Sequence, residues 1–330
     1  MRVLVTGASG FIGRALCLRL LAEGWRVRGT VRSNNQFTRL PDGVEPTKVD
    51  SIDLKTDWEN TLEGVNTVVH LAARVHVMKD SASNPFAEYR KVNVMGSERL
   101  AQTAAECGVK RFIFMSSVKV NGKGRSTPYN EEDLQKPQDD YSMSKWEAEK
   151  VLHKIAYETG MELVVFRPPL VYGPGVKANF LRLLKVVDRG IPLPLANVNN
   201  RRSLVYIENL LDAIVICMTH PKAPGQTFLV SDGRDLSTPE VIWLIAKAMG
   251  RKARLFSFPP IMLKTMGKII GRSAEIDRLT GSFCVDSSKI RTMLGWNPPY
   301  TLEEGIRKTV LWYKKYGKGQ RTDGRFLQVR

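Results

Sequence analysis

Val3-Leu-Val-Thr-Gly-Ala-Ser-Gly-Phe-Ile-Gly13 decides the fold of this 330-residue chain. Three apolar residues in a row predict a short strand buried on both faces. Gly7, Gly10 and Gly13 follow, and apolar residues then recur at Ile12, Leu16, Leu20 and Leu21 with helical spacing up to Gly24. A strand, a glycine-rich turn and an apolar helix form an anion cradle. The glycines let the backbone approach a pyrophosphate, and the amides of the helix N-terminus, with Phe11 and Ile12 in its first turn, point at it. The spacing is G-x-x-G-x-x-G and is weak as a bare pattern; its position after a strand and before a helix gives it weight.

Further along, apolar strands alternate with amphipathic helices. Arg26 to Val31 is predicted as strand two and Thr47 to Asp50 as strand three. Val65 to Leu71 is strand four, Phe112 to Met115 strand five and Leu163 to Arg167 strand six. Helices are expected from Asp57, from Val92 to Cys107 and from Tyr141 to Tyr157. This alternation predicts an α/β fold, a Rossmann-type doubly wound parallel sheet with helices on both faces. After Pro168-Pro169 the pieces shorten, and a smaller C-terminal α+β region is expected against the open end of the sheet. Ser237-Thr-Pro-Glu240 and Thr301-Leu-Glu-Glu304 are helix starts of the capping-box type. The predicted division is a nucleotide-binding domain over 1–170 plus about 203–227, a substrate region over 171–202 and 228–318, and a basic tail over 319–330.

Composition excludes little. With 43% hydrophobic residues a sizeable core is available. Cys17, Cys107, Cys217 and Cys284 are scattered and read as buried, reduced thiols; the histidines do not cluster, so no metal site is expected. The glycine loop starts a few residues after Met1, which leaves no room for a signal peptide and points to the cytoplasm. The formal charge of +17 fits nucleic acid, an anionic substrate, an anionic membrane surface, or a solvated basic exterior. The last is favoured, and no nucleic-acid motif is present. Arg251 to Arg272 mixes basic with apolar residues. A membrane-resting segment is one reading; a helix with its apolar face turned inward is preferred, because Pro259-Pro260 interrupts the pattern.

The chemistry-bearing set is Ser116-Ser117 after strand five, then Tyr141 and Lys145 one helical turn apart. A phenol titrates near 10 and exchanges protons poorly at neutral pH unless its anion is stabilised. Lys145 supplies that stabilisation, and a serine hydroxyl holds a substrate oxygen. This equipment moves a proton on or off a carbon–oxygen group while hydride moves at the carbon. At the end of strand two, where NAD sites usually carry an acid, stands Arg32. It is either a partner for the extra phosphate of NADP or an ordinary surface arginine. Asp50-Ser51-Ile52 is placed to meet the adenine.

Thr6 to Gly13, His70-Leu-Ala-Ala73, Asn93, Ser116-Ser117, Tyr141 with Lys145, Arg167-Pro168 and Leu204-Val-Tyr-Ile-Glu-Asn209 resemble the extended short-chain dehydrogenase/reductase family, in its nucleotide-sugar epimerase/dehydratase branch. The resemblance spans nearly the whole chain. It implies that Tyr141 exchanges the proton, that Lys145 lowers its pKa and holds the nicotinamide ribose, and that Ser117 binds the reacting oxygen beside Ser116. It implies that Leu71, Ala72 and Ala73 line the cofactor cleft, that Asn93 supports the site, and that Pro168 and Val171 lie against the nicotinamide. It also implies that Asn179 and Arg202 contact a substrate diphosphate, and that the enzyme is a homodimer through the helices after Val92 and Tyr141. The cofactor is NAD or NADP, with NADP slightly favoured by Arg32, and the substrate a UDP-sugar.

There are departures. Asn121 stands where many 4-epimerases have tyrosine, and Asn209 where aspartate is common. Val118-Lys119 follows Ser117 where the dehydratases have Asp-Glu, so dehydration is disfavoured. Lys119 is a substrate contact or, preferably, a solvated lysine. His70 to Met78, Val118 to Gly122 and Ile276 to Trp296 resemble a bacterial subgroup of UDP-glucose 4-epimerases and 4-keto reductases that make UDP-N-acetyl-quinovosamine for surface polysaccharide. Of the two, 4-keto reduction is favoured. Non-sugar ketone reduction of the flavonoid-reductase type and a non-catalytic nucleotide-binding role are distant alternatives.

Overall fold

A computed structural model describes residues 1–75 and 84–318. His76 to Met78 of the subgroup resemblance and the tail from 319 lie outside the described residues. The central sheet has seven strands in the order β3-β2-β1-β4-β5-β6-β9, every pair parallel. They are β1 (Arg2–Thr6), β2 (Arg26–Val31), β3 (Glu45–Lys48), β4 (Thr67–His70), β5 (Arg111–Met115), β6 (Glu162–Arg167) and β9 (Gln226–Leu229). β7 (Leu170–Tyr172) and β8 (Leu204–Tyr206) form a separate parallel pair. The inner strands β1, β4, β5 and β6 are buried on both faces because both faces are covered, whereas the edge strand β3 is polar and largely exposed. Val3, Val5, Val69, Ile113 and Phe166 face one core, with α1 (Phe11–Ala22) and α7 (Ile207–Thr219). Leu4, Val68, Phe112, Phe114 and Val165 face the other, with α4 (Gly96–Glu106) and α5 (Asp140–Thr159).

The strand order reverses direction between β1 and β4. In open parallel sheets the crevice at the carboxyl ends beside that reversal is where ligands bind. The glycine turn after β1, Leu71 to Ala73 after β4, Ser116-Ser117 after β5 and Pro168 after β6 all sit along this edge.

Several boundaries differ from the sequence reading. β3 ends at Lys48, so Asp50 lies beyond it. The helix expected from Asp57 is a single turn, α2 (Glu59–Leu62), capped by the buried Trp58. The helix expected from Val92 begins earlier, as α3 (Pro85–Arg90) with Asn84 as its cap, and runs through a π turn over Lys91–Met95 into α4. Pro85 can sit at a helix start because its missing amide is one that no helix bonds there. Cys107 is exposed where α4 runs out before Gly108, while the other three cysteines are buried.

The C-terminal region holds α6 (Ala178–Asp188), α8 (Thr238–Met249), α9 (Pro260–Ile269), α10 (Ser273–Thr280), α11 (Ser288–Leu294) and α12 (Leu302–Trp312). α8 and α12 open with complete capping boxes at Ser237 and Thr301. α9 corrects the inward-packing expectation. Pro259 and Pro260 start this helix instead of interrupting it. Of its residues only Leu263 and Gly267 are buried; Ile261, Met262, Met266 and Ile269 are exposed. No described helix is long and apolar enough to cross a membrane.

Candidate active site

The glycine turn is tight for a geometric reason. Gly7 has φ of +68°, and a Cβ there would lie 3.0 Å from the Ala72 amide nitrogen. A Cβ on Gly13 would lie 2.2 Å from the Gly7 carbonyl oxygen, so only glycine lets α1 close onto the turn. Gly10 caps α1 with no side-chain hydrogen bond, and the first turn of the helix holds no acidic residue. The first amides of a helix have no intrahelical acceptor. Those of Phe11, Ile12 and Gly13 therefore face the crevice as ready donors to an anion.

Tyr141 and Lys145 lie on α5, whose first turn is fixed by Asp139. The Asp139 carboxylate accepts from the Ser142 amide at 2.7 Å, and the Ser142 hydroxyl closes a capping box. The Tyr141 phenol is hydrogen-bonded to Ser117, and burial pushes its pKa above the usual value, with the Asp139 charge and Tyr89 adding to the rise. Burial lowers Lys145 to about 7 while Glu149 pulls it back up. The Lys145 ammonium stands 4.3 Å above the Phe114 ring. It has no hydrogen-bond or ion-pair partner among the described residues, although the side chain is nearly sealed from solvent. A buried ammonium left so is built for a partner that the chain does not supply. The free amides of α1 and this ammonium fit a dinucleotide with its pyrophosphate on the turn and a ribose hydroxyl at Lys145.

Glu149 continues the face of Tyr141 and Lys145, one turn further along α5. Its carboxylate accepts from the Ser116 hydroxyl and from Arg167, whose Nη2 approaches to 2.5 Å and whose Nε lies at 3.1 Å. Arg167 also donates to Asn121 at 3.3 Å. Ser116 thus points its hydroxyl into the protein, and Ser117 is the serine that faces Tyr141. This buried cluster pins the ends of β5 and β6 to the helix that carries the tyrosine. It was missed from sequence, although the four-residue spacing of Tyr141, Lys145 and Glu149 put all three on one helical face.

A second buried chain starts at the glycine strand. The Thr6 hydroxyl lies 2.7 Å from His70 Nδ1 and accepts from the Leu71 and Ala72 amides at 3.1 Å each. His70 Nε2 lies 2.9 Å from the Ser97 hydroxyl, which donates to the Asn93 carbonyl at 2.7 Å. With the Ser97 proton so used, His70 donates from Nε2 and accepts Thr6 at Nδ1, as a neutral imidazole. Burial, with the Lys145 charge adding to it, lowers its pKa to about 3. Asn93 then reaches across. Its amide donates to the Ser144 hydroxyl at 2.9 Å, and it holds both backbone groups of Arg74. Asn93 makes these bonds from within the π turn, a helical irregularity common at functional sites.

The remaining predicted residues are less tightly placed. Ile52 packs against Gly96, while Asp50 is exposed and paired with Lys48 at 2.8 Å. Arg32 is exposed at the end of β2; its amide donates to Gln36, and its guanidinium has no acidic partner among the described residues. The Pro168 carbonyl accepts from the Val118 amide, and Val171 lies half-buried in β7. Lys119 is neither free nor merely solvated: its ammonium is 2.7 Å from Asp139, the cap of α5.

Arg202 donates from Nη1 to the carbonyls of Arg278 and Gly281 at 2.7 and 3.0 Å, at the end of α10. Burial holds its pKa below the ordinary value, with the neighbouring Arg278 charge adding to the effect. Neither arginine has a carboxylate partner among the described residues, and two close guanidinium groups so placed favour an anion. Arg278 was missed from sequence, where nothing marks it out from other surface arginines. Asn179 is exposed in the first turn of α6, next to Ala178, the one described non-glycine residue with positive φ, at +51°. Arg182, one turn on, pairs with Glu275 of α10 at 3.4 Å. Asn179 and Arg278 are therefore each about one turn from the same α6–α10 junction.

A parallel doubly wound sheet with a phosphate turn after β1 and a Ser–Tyr–Lys set beyond β5 defines an enzyme of the short-chain dehydrogenase/reductase type. The comparisons agree. The model of the "NAD dependent epimerase/dehydratase family" matches residues 3–231, and the chain belongs to that family. It is 46% identical to a UDP-glucose 4-epimerase of Vibrio cholerae over 93% of this chain and 94% of that protein. It is 27% identical to an N-acetyl-alpha-D-glucosaminyl-diphospho-ditrans,octacis-undecaprenol 4-epimerase of Escherichia coli O157:H7, again over 93% and 94%. Among solved structures it resembles MoeE5 in complex with UDP-glucuronic acid and NAD, at 26% identity and a TM-score of 0.76, covering 96% of this chain and 99% of that one.

Proposed function

We propose that the chain moves hydride between a nicotinamide dinucleotide and C4 of a UDP-linked hexose. The observation that carries this reading is the hydrogen bond between Ser117 and Tyr141 beyond β5, at the same sheet edge as the anion cradle of α1. The cradle suits the diphosphate of a dinucleotide, and Arg202 with Arg278 suits that of a sugar nucleotide. A bound dinucleotide supplies the hydride acceptor or donor. The protein's own residues do the rest. Gly7, Gly10 and Gly13 admit the pyrophosphate, Lys145 stabilises the tyrosinate, Ser117 orients the substrate oxygen, and Tyr141 takes or returns its proton.

Net reduction of a 4-keto sugar is the outcome that the adenosine end favours. Arg32 follows the last residue of β2 and has no acidic partner among the described residues, and such an arginine suits NADP(H) and a cofactor that exchanges at each turnover. The second reading is 4-epimerisation, in which the cofactor stays bound while the sugar is oxidised and reduced again. The names of the relatives favour it. Both leave dehydration aside, since Val118 and Lys119 follow Ser117. One experiment separates them: denature the purified protein and identify the released nucleotide by mass. Near-stoichiometric NAD supports the epimerase. An empty site that binds added NADPH or NADH, with turnover of a UDP-4-keto sugar, supports the reductase. Failure to bind any dinucleotide overturns both.

A further inference from the structure

The segment from Arg251 to Arg272 contains six basic residues and no acidic one: Arg251, Lys252, Arg254, Lys264, Lys268 and Arg272. It is also where exposed apolar side chains gather. Phe256 is 45% exposed, Ile261 80%, Met262 54%, Met266 50%, Ile269 78% and Ile270 60%. Elsewhere among the described residues, large exposed apolar side chains are scattered along the chain. Met262, Met266 and Ile269 follow one another at i, i+4 and i+7, so they share a stripe of α9. Lys264 and Lys268, one turn apart, project from the other side of the same helix. α9 is anchored only through Leu263, in the core, and Gly267, where a Cβ would stand 2.4 Å from Ile276 of α10.

A helix with two buried residues, an apolar stripe outward and no acidic residue in the segment that carries it matches one kind of surface. Apolar side chains enter the interface of a bilayer while lysines and arginines meet anionic headgroups. We infer that α9 docks the enzyme on an anionic lipid surface. Charge selects this occupant: Arg251 pairs with Asp188, but a neutral apolar partner leaves the other five cations without a counter-ion, and a second copy of this chain, itself strongly basic, brings repulsion. The helix beneath α9 is α10, whose terminal carbonyls hold Arg202, so docking places the arginine pair one helix away from the bilayer.

The test is co-sedimentation of the full chain with vesicles of phosphatidylcholine alone and of phosphatidylcholine mixed with phosphatidylglycerol, at low and high salt. Binding to the mixed vesicles that weakens with salt is expected. The variant Lys264→Gln/Lys268→Gln should bind roughly tenfold more weakly or worse. The variant Met262→Ser/Met266→Ser/Ile269→Ser should lose binding and keep its circular dichroism, melting temperature and dinucleotide affinity, because the three side chains touch solvent. Equal binding to both vesicle types, or wild-type binding by the serine variant, overturns the inference. So does a sedimentation profile in which the serine variant alone dissociates from a dimer, which would assign the stripe to a second copy.

Discussion

In the proposed reaction the Tyr141 phenol carries the proton, and its surroundings work against ionisation. Burial, Asp139 and Tyr89 raise its pKa; the bond from Ser117 opposes them. Replacing Tyr141 by Phe removes the proton carrier and leaves the cradle intact. Dinucleotide affinity measured by calorimetry should stay within a few-fold, and turnover should fall by about 10²- to 10⁴-fold. Lys119 enters through Asp139. The charged group acting on the phenol is Asp139, the cap of α5, which Lys119 pairs with at 2.7 Å; Lys145 lies one turn further along α5, and Tyr89 of α3 stands edge-on at 6.4 Å. Lys119→Met leaves the carboxylate uncompensated and should move the tyrosine-controlled limb of the pH–rate profile to higher pH. Asp139→Asn should move it lower. Shifts in the same direction for both variants would exclude this coupling.

At the scale of elements, two buried polar chains join the sheet to its helices. Glu149 and Arg167 are both almost fully enclosed. Removing one partner of such a pair strands the other charge and costs about 3–5 kcal/mol. Glu149→Ala should therefore destabilise the fold by about that amount in urea denaturation. His70 links β4 to β1 and α4 as a neutral ring. Its folded pKa, about 3, lies below the unfolded value of 6.5. Between those values the unfolded chain binds the extra proton, so stability should fall as pH drops from about 6.5 towards 3, by up to roughly 1.4 kcal/mol per pH unit. His70→Gln should flatten that part of the curve in acid-unfolding measurements. Neither chain was legible in the sequence. Thr6, His70, Ser97 and Asn93, or Ser116, Glu149 and Arg167, come from separate elements, and only parallel pairing of the strands brings them within hydrogen-bond reach.

At the scale of the molecule, the proposed function assigns one anion site to the glycine turn at the sheet edge and a second to Arg202 and Arg278 in the C-terminal region. If they act separately, NAD and UDP should each raise the melting temperature, and both together should raise it by about the sum. Each contributes about 2.7 kcal/mol at a hundredfold excess over its Kd. Gly10→Ala should abolish the NAD shift and spare the UDP shift. Gly10 has φ of −77°, which alanine tolerates, but a Cβ there would lie 3.0 Å from the Gly7 carbonyl oxygen and so disturb the turn that is proposed to receive the pyrophosphate. Loss of both shifts would mean that the sites are one.

The sequence by itself determined the parallel sheet, the glycine turn and the pairing of Tyr141 with Lys145. Strand period, helix period and the backbone freedom of glycine are local properties, and each is visible within a dozen neighbouring residues. Only the tertiary structure decided what those side chains meet. It turned Ser116 inward to Glu149 and Ser117 outward to Tyr141. It tied Lys119 to the cap of α5, brought Arg278 beside Arg202, and left the apolar stripe of α9 uncovered. Such pairings join residues far apart in the chain, and burial and charge compensation are settled when the elements pack, not by the residues beside them in sequence.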